Sequence, residues 1–185
     1  MTIDETINEI HKELHANMNG IASKYLRENG AQYRLNWGVE LPRLQQIAQE
    51  FEPNHSLAQR LWNENVRESR ILATMLMPAE NFDIQLCLLW GEQVQNAEIA
   101  QMAVMHLFVR LPYAAEIAFR WMASGEEMHQ LMGLLLVTRL IMQGTQFNDR
   151  TKDEIRDQAE CALISPNLHV RKAAQNTISR LEKDN

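Results

Sequence analysis

Apolar residues recur every three or four positions along this chain, which is the spacing of one face of an α-helix. The first series comprises Ile3, Ile7, Ile10 and Leu14. Thr2 followed by Glu5 has the spacing of a capping box, which marks the N-terminus of that helix. A second helix is predicted over about Gly20 to Glu28, because Asn29 and Gly30 then interrupt the series.

The same spacing predicts paired helices through the rest of the chain. They run over about residues 42–51, 56–62, 66–77, 81–92, 96–110, 112–121, 126–142, 149–164 and 167–181. Pro42 and Pro112 suit a first helical turn, where a missing backbone N–H costs little. Ser56 is a candidate cap for the helix over 56–62. A tryptophan stands near the end of the first helix of three successive pairs, at Trp62, Trp90 and Trp121.

These tryptophans are 28 and 31 residues apart, which suits helix-pair repeats with variable loops, although a HEAT repeat has roughly 40 residues. A single helix pair cannot bury its apolar face, so neighbouring pairs stack on a shared core, and the tryptophans are expected to pack there. We therefore predict an all-α fold, an α-α superhelix (right-handed solenoid) of HEAT-like antiparallel helix pairs. A closed bundle is the alternative architecture. Residues 1–185 are predicted to form a single domain.

Composition and charge narrow the range of functions. Seven glycines and five prolines are few for 185 residues, which favours helix. The net charge of −6 argues against binding nucleic acid through overall attraction, and segment 78–129 carries seven acidic residues against two arginines. No stretch reaches the ~18 apolar residues of a membrane span. Because the first residues are polar and do not resemble a signal peptide, a cytoplasmic location is expected.

Candidate reactive groups are few. Cys87 and Cys161 lie in apolar runs and are expected to be free, buried cysteines in a reducing compartment. His11 and His15 are one helical turn apart and could clamp a metal, but no third ligand is evident. A solvated helix face is therefore expected there, with no metal and no cofactor. The final helix carries Arg171, Lys172, Arg180 and Lys183, which form either an ordinary surface or a DNA contact.

Several segments together resemble the AlkD-like DNA alkylation repair family in order and spacing. They are residues 22–27 (ASKYLR), 38–44 (GVELPRL), 61–70 (LWNENVRESR), Trp121 with Ser124, and 170–173 (VRKA). The resemblance covers about residues 18 to 182. It implies a fold of HEAT-like repeats and excision of positively charged N-alkylated purines from DNA.

The resemblance also implies a catalytic site, at which this chain departs from the family. Family enzymes use a tryptophan and an aspartate one helical turn apart, a basic residue, and a second tryptophan on a later helix. Aromatic faces attract the cationic base, and the carboxylate stabilises oxocarbenium-like charge. In this chain, Ala97 stands in place of the first tryptophan and Gln101 in place of the aspartate. Leu131 stands in place of the basic residue, and Asn176 in place of the later tryptophan. Because Gln101 is neutral, we assign no catalytic residue.

Three functions remain open from the sequence. The first is a repeat module without excision activity. It binds DNA weakly, by recognising the structure of the DNA, or it binds a protein on its concave face. Its expected DNA contacts are Tyr25, Arg171, Lys172 and Arg180. The second is an active glycosylase with a displaced site, in which Glu98 supplies the carboxylate and Tyr25 or Trp90 the aromatic wall. A metal enzyme using His11 and His15 is a third, weaker hypothesis.

Overall fold

A computed structural model describes residues 2–29 and 33–183. The chain divides into two compact units, Met1–Asp83 and Ile84–Asn185, and each is considered by itself. The described residues form α-helices, two short 3-10 helices and an isolated bridge between Leu35 and Val66, without a β-strand. No helix among them has the length and apolarity needed to cross a membrane. The single domain over residues 1–185 stays a prediction.

The first unit contains five α-helices in its described part. They are α1 (Ile3–Ala16), α2 (Gly20–Glu28), α3 (Leu41–Gln49), α4 (His55–Asn63) and α5 (Arg67–Leu76), followed by a 3-10 turn at Ala79–Asn81. The capping box of α1 is confirmed: Glu5 N donates to Thr2 Oγ1 at 3.3 Å, and Thr2 N donates to the Glu5 carboxylate at 2.7 Å. Asn29 ends α2 as predicted, whereas Gly30 lies outside the described residues.

The prediction that Ser56 caps α4 is wrong. The helix begins one residue earlier, and Asn54 is the cap because its Oδ1 accepts the Leu57 N–H at 2.9 Å. The core of this unit lies where α4 packs on α5 and α1, and α3 packs on α5. Trp62 is fully buried there, as expected of a core tryptophan.

A buried carboxylate organises the loop between α2 and α3. The fully buried Glu68 side chain accepts the backbone N–H groups of Trp37, Gly38 and Val39 at 3.1, 2.9 and 3.2 Å. Arg67 Nη1 donates to Glu68 Oε1 and to the Val39 carbonyl, both at 2.9 Å. Gly38 has a φ of 73°, and a Cβ there would collide with the backbone at the start of α2. The sequence therefore shapes this loop through a charge, its partner and a glycine.

The second unit contains six α-helices in its described part. They are α6 (Ile84–Glu92), α7 (Ala97–His106), α8 (Ala114–Met122), α9 (Glu127–Met142), α10 (Asp149–Ala162) and α11 (Leu168–Lys183), with a 3-10 turn at Phe108–Arg110. Helix α9 packs on α7, α8 and α11, while α10 packs on α11. Trp90 and Trp121 are buried, as expected. Gly133 allows the close approach of α9 to α8, because a Cβ there would lie 2.5 Å from Met122 N.

Two other details of the second unit differ from expectation. The helix predicted over 96–110 ends at His106, because Leu107 leaves the helical conformation (φ −124°, ψ −63°) and a 3-10 turn follows. Cys161 is exposed, so its predicted burial is wrong. The buried side of α10 is formed by Ile155, Ala159 and Ala162, and Cys161 points away from it. Cys87 is buried as expected, and burial raises the pKa of its thiol to about 12.

The Glu68 network gives a stability prediction. Glu68→Gln removes the charge that three backbone N–H groups and Arg67 share, and should lower the free energy of unfolding by about 3–5 kcal/mol. Chemical denaturation measures this change. The exposed Glu52→Gln is the matched control and should stay within about 0.5 kcal/mol of the parent protein. Equal effects of the two substitutions would contradict the role given to Glu68.

Candidate nucleic-acid interface

Helix α7 carries two of the positions taken from the family resemblance, Ala97 and Gln101, and the alternative carboxylate Glu98. Asn96 caps the helix, since its Oδ1 accepts the Ile99 N–H at 3.0 Å. Ala97 is the first helical residue and is half-buried, as is Glu98. Gln101 follows one turn later with its side chain exposed. The position that the resemblance assigns to the catalytic aspartate is therefore accessible, and it carries an amide.

Gln101 borders a cleft between α7 and α9 with a volume of about 240 Å³. The residues around it are Gln101, Met102, Val104, Met105, Leu135 and Arg139. Its walls are thus mainly apolar, and its only formal charge is the Arg139 guanidinium. The sequence reasoning missed Arg139. The available signal was that Arg139 is the one Lys, Arg, Asp or Glu residue in the stretch 128–142.

His106 lies at the end of α7 beside this cleft, next in sequence to Met105. Its Nε2 is buried and has no hydrogen-bond partner. Burial lowers the pKa of the imidazole, and the positive charges of Arg110 and Arg139 lower it further. Burial, with the two arginines as a further cause, therefore disfavours the charged form of this histidine.

The other two positions from the resemblance lie on α9 and α11. Leu131 is only 1% exposed and belongs to the core, so it cannot touch a ligand. Asn176 is exposed on α11 and is not among the residues around the cleft. Its neighbour Thr177 joins α11 to α9 through a hydroxyl hydrogen bond to Thr138 at 2.8 Å. The structure therefore brings Gln101 and Arg139 together, but does not add Leu131 or Asn176 to the same site.

The predicted basic contacts on α11 have different surroundings. Arg171 Nη1 donates to the carbonyls of Ser165 and Pro166 at 2.6 and 2.9 Å, so that this side chain also holds the turn before the helix. Lys172 and Arg180 are exposed, and neither forms an ion pair with another described residue. Lys172 and Arg180 are consequently the accessible charges of this group.

Tyr25, the predicted aromatic contact, lies on α2 in the first unit and is 66% exposed. Ile21, one turn earlier on the same helix, is 85% exposed. Large apolar side chains this accessible can stack on or wedge against bases. The exposure of Tyr25 is therefore compatible with the role predicted for it.

The histidine pair on α1 does not form the fully solvated face that was expected. His11 is half-buried, and its Nε2 lies 3.0 Å from Glu64 Oε2, which also accepts the Ser69 hydroxyl at 2.5 Å. His15 is exposed, and both imidazole rings contact the indole of Trp37. Across residues 2–29 and 33–183, no three His, Cys, Asp or Glu side chains are grouped to hold a metal ion.

Comparison with known proteins defines first the class and then the family. One solved structure superposes on this protein with a TM-score of 0.82 at 18% sequence identity. The match covers 94% of this chain and 74% of the chain in that structure. That structure is described as representing a new family of proteins related to the HEAT-like repeat DNA glycosylases with affinity for branched DNA structures. The predicted all-α fold of HEAT-like helix pairs is therefore confirmed. Among curated proteins no match is found.

Comparison of the sequence with known families identifies the family of this protein. Residues 10–184, nearly the whole chain, match the family described as DNA alkylation repair enzymes. The protein belongs to this family, as the motifs around Tyr25, Trp62 and Arg171 suggested.

The environment of His106 predicts a pH dependence of stability. The unfolded chain protonates this histidine near its ordinary pKa of about 6.5, whereas the folded protein resists protonation. Acid therefore favours the unfolded chain, and the free energy of unfolding should fall as the pH drops below about 6.5. In denaturation at several pH values, His106→Gln should flatten this fall. The exposed His169→Gln should leave it unchanged, and identical profiles for His106→Gln and the parent protein would contradict the prediction.

Proposed function

We propose that this protein is a HEAT-like repeat module that binds DNA and does not excise bases. The observation that carries the proposal is the site at the start of α7. The resemblance assigns Gln101 to the position of the family's aspartate, and the adjoining cleft is bordered by Arg139 and by no carboxylate. An amide carries no negative charge with which to stabilise the oxocarbenium-like charge of the excision reaction.

The size of the expected loss supports the absence of excision. Removing one preorganised electrostatic group from an active site typically slows the reaction about 10²–10³-fold. The aromatic positions are changed as well, since Ala97 and Asn176 offer no ring to attract a cation. Both attractive features of the family site are therefore missing at once.

DNA is the proposed partner because of three features taken together. The chain belongs to a DNA repair family, and a structural relative is described as having affinity for branched DNA. Tyr25, Lys172 and Arg180 are exposed on the helices where DNA contacts are expected. With a net charge of −6, binding is expected to be weak and to depend on these local contacts. A protein partner is the competing outcome.

Gel-shift titration of duplex and branched DNA at about 50 and 200 mM salt tests DNA binding. We expect tighter binding to branched DNA and weaker binding at the higher salt. Lys172→Gln combined with Arg180→Gln should reduce the slope of log Kd against log salt by about 2. Arg150→Gln, an exposed arginine on α10, is the control and should keep the parent slope. No binding to either DNA at the lower salt would overturn the proposal and point to a protein partner.

A base-release assay on duplex DNA containing N-alkylated purines tests the absence of excision. We expect release at the background rate of the substrate alone, because Gln101 supplies no charge. Glu98, half-buried in the first turn of α7, is the carboxylate of the alternative glycosylase. Release above background that Glu98→Gln abolishes would establish that alternative and contradict the proposal.

A further inference from the structure

Three polar groups near the α7–α9 cleft have no partner within the described part of the chain. Neither the Gln101 amide nor the Arg139 guanidinium forms a side-chain hydrogen bond or ion pair there, and His106 Nε2 is buried without a hydrogen bond. Gln101 is exposed to water and Arg139 is half-buried, but a buried polar atom such as His106 Nε2 is normally satisfied and calls for an explanation. A ligand bound in the cleft would give the accessible Gln101 and Arg139 a common partner.

Arg139 differs from the arginines of this protein that are paired with carboxylates. Several other arginines in the structure pair with carboxylates, namely Arg43, Arg60, Arg67 and Arg156. Arg139 is half-buried and faces a cleft whose other walls are apolar apart from Gln101. A guanidinium in such surroundings loses part of its hydration without gaining a counter-charge. An anion entering the cleft would supply that counter-charge.

We propose that this cleft binds one backbone phosphodiester of DNA, held by the Arg139 guanidinium and the Gln101 amide N–H groups. The planar guanidinium donates two parallel hydrogen bonds to a phosphate, and the glutamine adds a neutral donor. Met102, Met105 and Leu135 provide apolar contact for the adjoining deoxyribose. The inference rests on the proposed DNA binding and identifies the part of DNA that this cleft recognises.

The electrostatic surroundings favour an anion over other ligands. Burial is the main cause of the lowered pKa of His106, and the positive charges of Arg110 and Arg139 add to it. At the cleft itself, the positive charge of Arg139 attracts a phosphate. No carboxylate is among the residues around the cleft, so the charge of Arg139 is not offset by one there.

Substitution of Arg139 is the principal test, with binding to branched DNA as the measurement. Arg139→Gln should weaken binding about tenfold, as expected for a lost charge-assisted hydrogen bond, and reduce the slope of log Kd against log salt by about 1. Arg139→Lys, which keeps the charge without the fork, should restore the slope but only part of the affinity. Arg120→Gln, an exposed arginine on α8, is the charge-matched control and should change neither quantity by a comparable amount.

A second measurement separates failure of this inference from failure of DNA binding. In a buffer without phosphate, inorganic phosphate is added while NMR follows the His106 imidazole and the Gln101 side-chain amide. We expect both signals to shift in the parent protein, with a rise in the pKa of His106, and neither to shift in Arg139→Gln. Circular dichroism and thermal unfolding verify that the variants fold.

The outcomes are distinct. If the parent protein binds DNA and Arg139→Gln binds it with the same affinity and salt slope, the cleft inference is overturned while the proposed function stands. If the parent protein binds no DNA but phosphate shifts His106 and Gln101, the proposed function fails and the anion site is supported with free phosphate as its source. If the parent shows neither DNA binding nor a phosphate shift, both are overturned.

Discussion

The close approach of α9 to α8 at Gly133 constrains the packing of the second unit. A side chain at this position would collide with the backbone of α8, so the two helices meet through glycine. Helix α9 also packs on α7 and α11. Its position therefore determines which of its side chains enter the core, such as Leu131, and which reach the cleft, such as Arg139. Interiors packed this tightly tolerate little displacement, so the packing of α9 also fixes the positions of its side chains at the cleft.

In the first unit an electrostatic interaction has the corresponding role. Glu68 is buried, yet its carboxylate is fully occupied by three backbone N–H groups and Arg67. Such a group costs much to bury and is stable only when its partners are in place. The loop that carries Trp37 is thereby fixed to α5, and Trp37 in turn contacts His11 and His15. The segment that looked like a metal clamp is part of this packed arrangement.

Local signals predicted the helices well, whereas features that depend on packing were missed. The Thr2–Glu5 capping box needs only residues three positions apart, and the sequence contains all of it. Asn54 and Ser56 are both competent caps, and the choice between them depends on where α4 begins within its unit. Cys161 lies in an apolar run, but the packing of α10 on α11 decides which side is buried. Arg139 meets Gln101 only because α7 packs on α9, which no spacing along the chain reveals.

Retention of the fold and change of the site have separate physical causes. The repeat fold depends on apolar positions such as Trp62, Trp121 and Gly133, which bury surface whatever ligand is bound. The charges at the cleft contribute little to that packing, so they can change without loss of the fold. The resemblance predicts that Gln101 stands at the position of a carboxylate, and beside Arg139 we propose that the cleft holds a DNA phosphate. On that proposal, the scaffold keeps DNA as its partner while the cleft contacts the backbone instead of a damaged base.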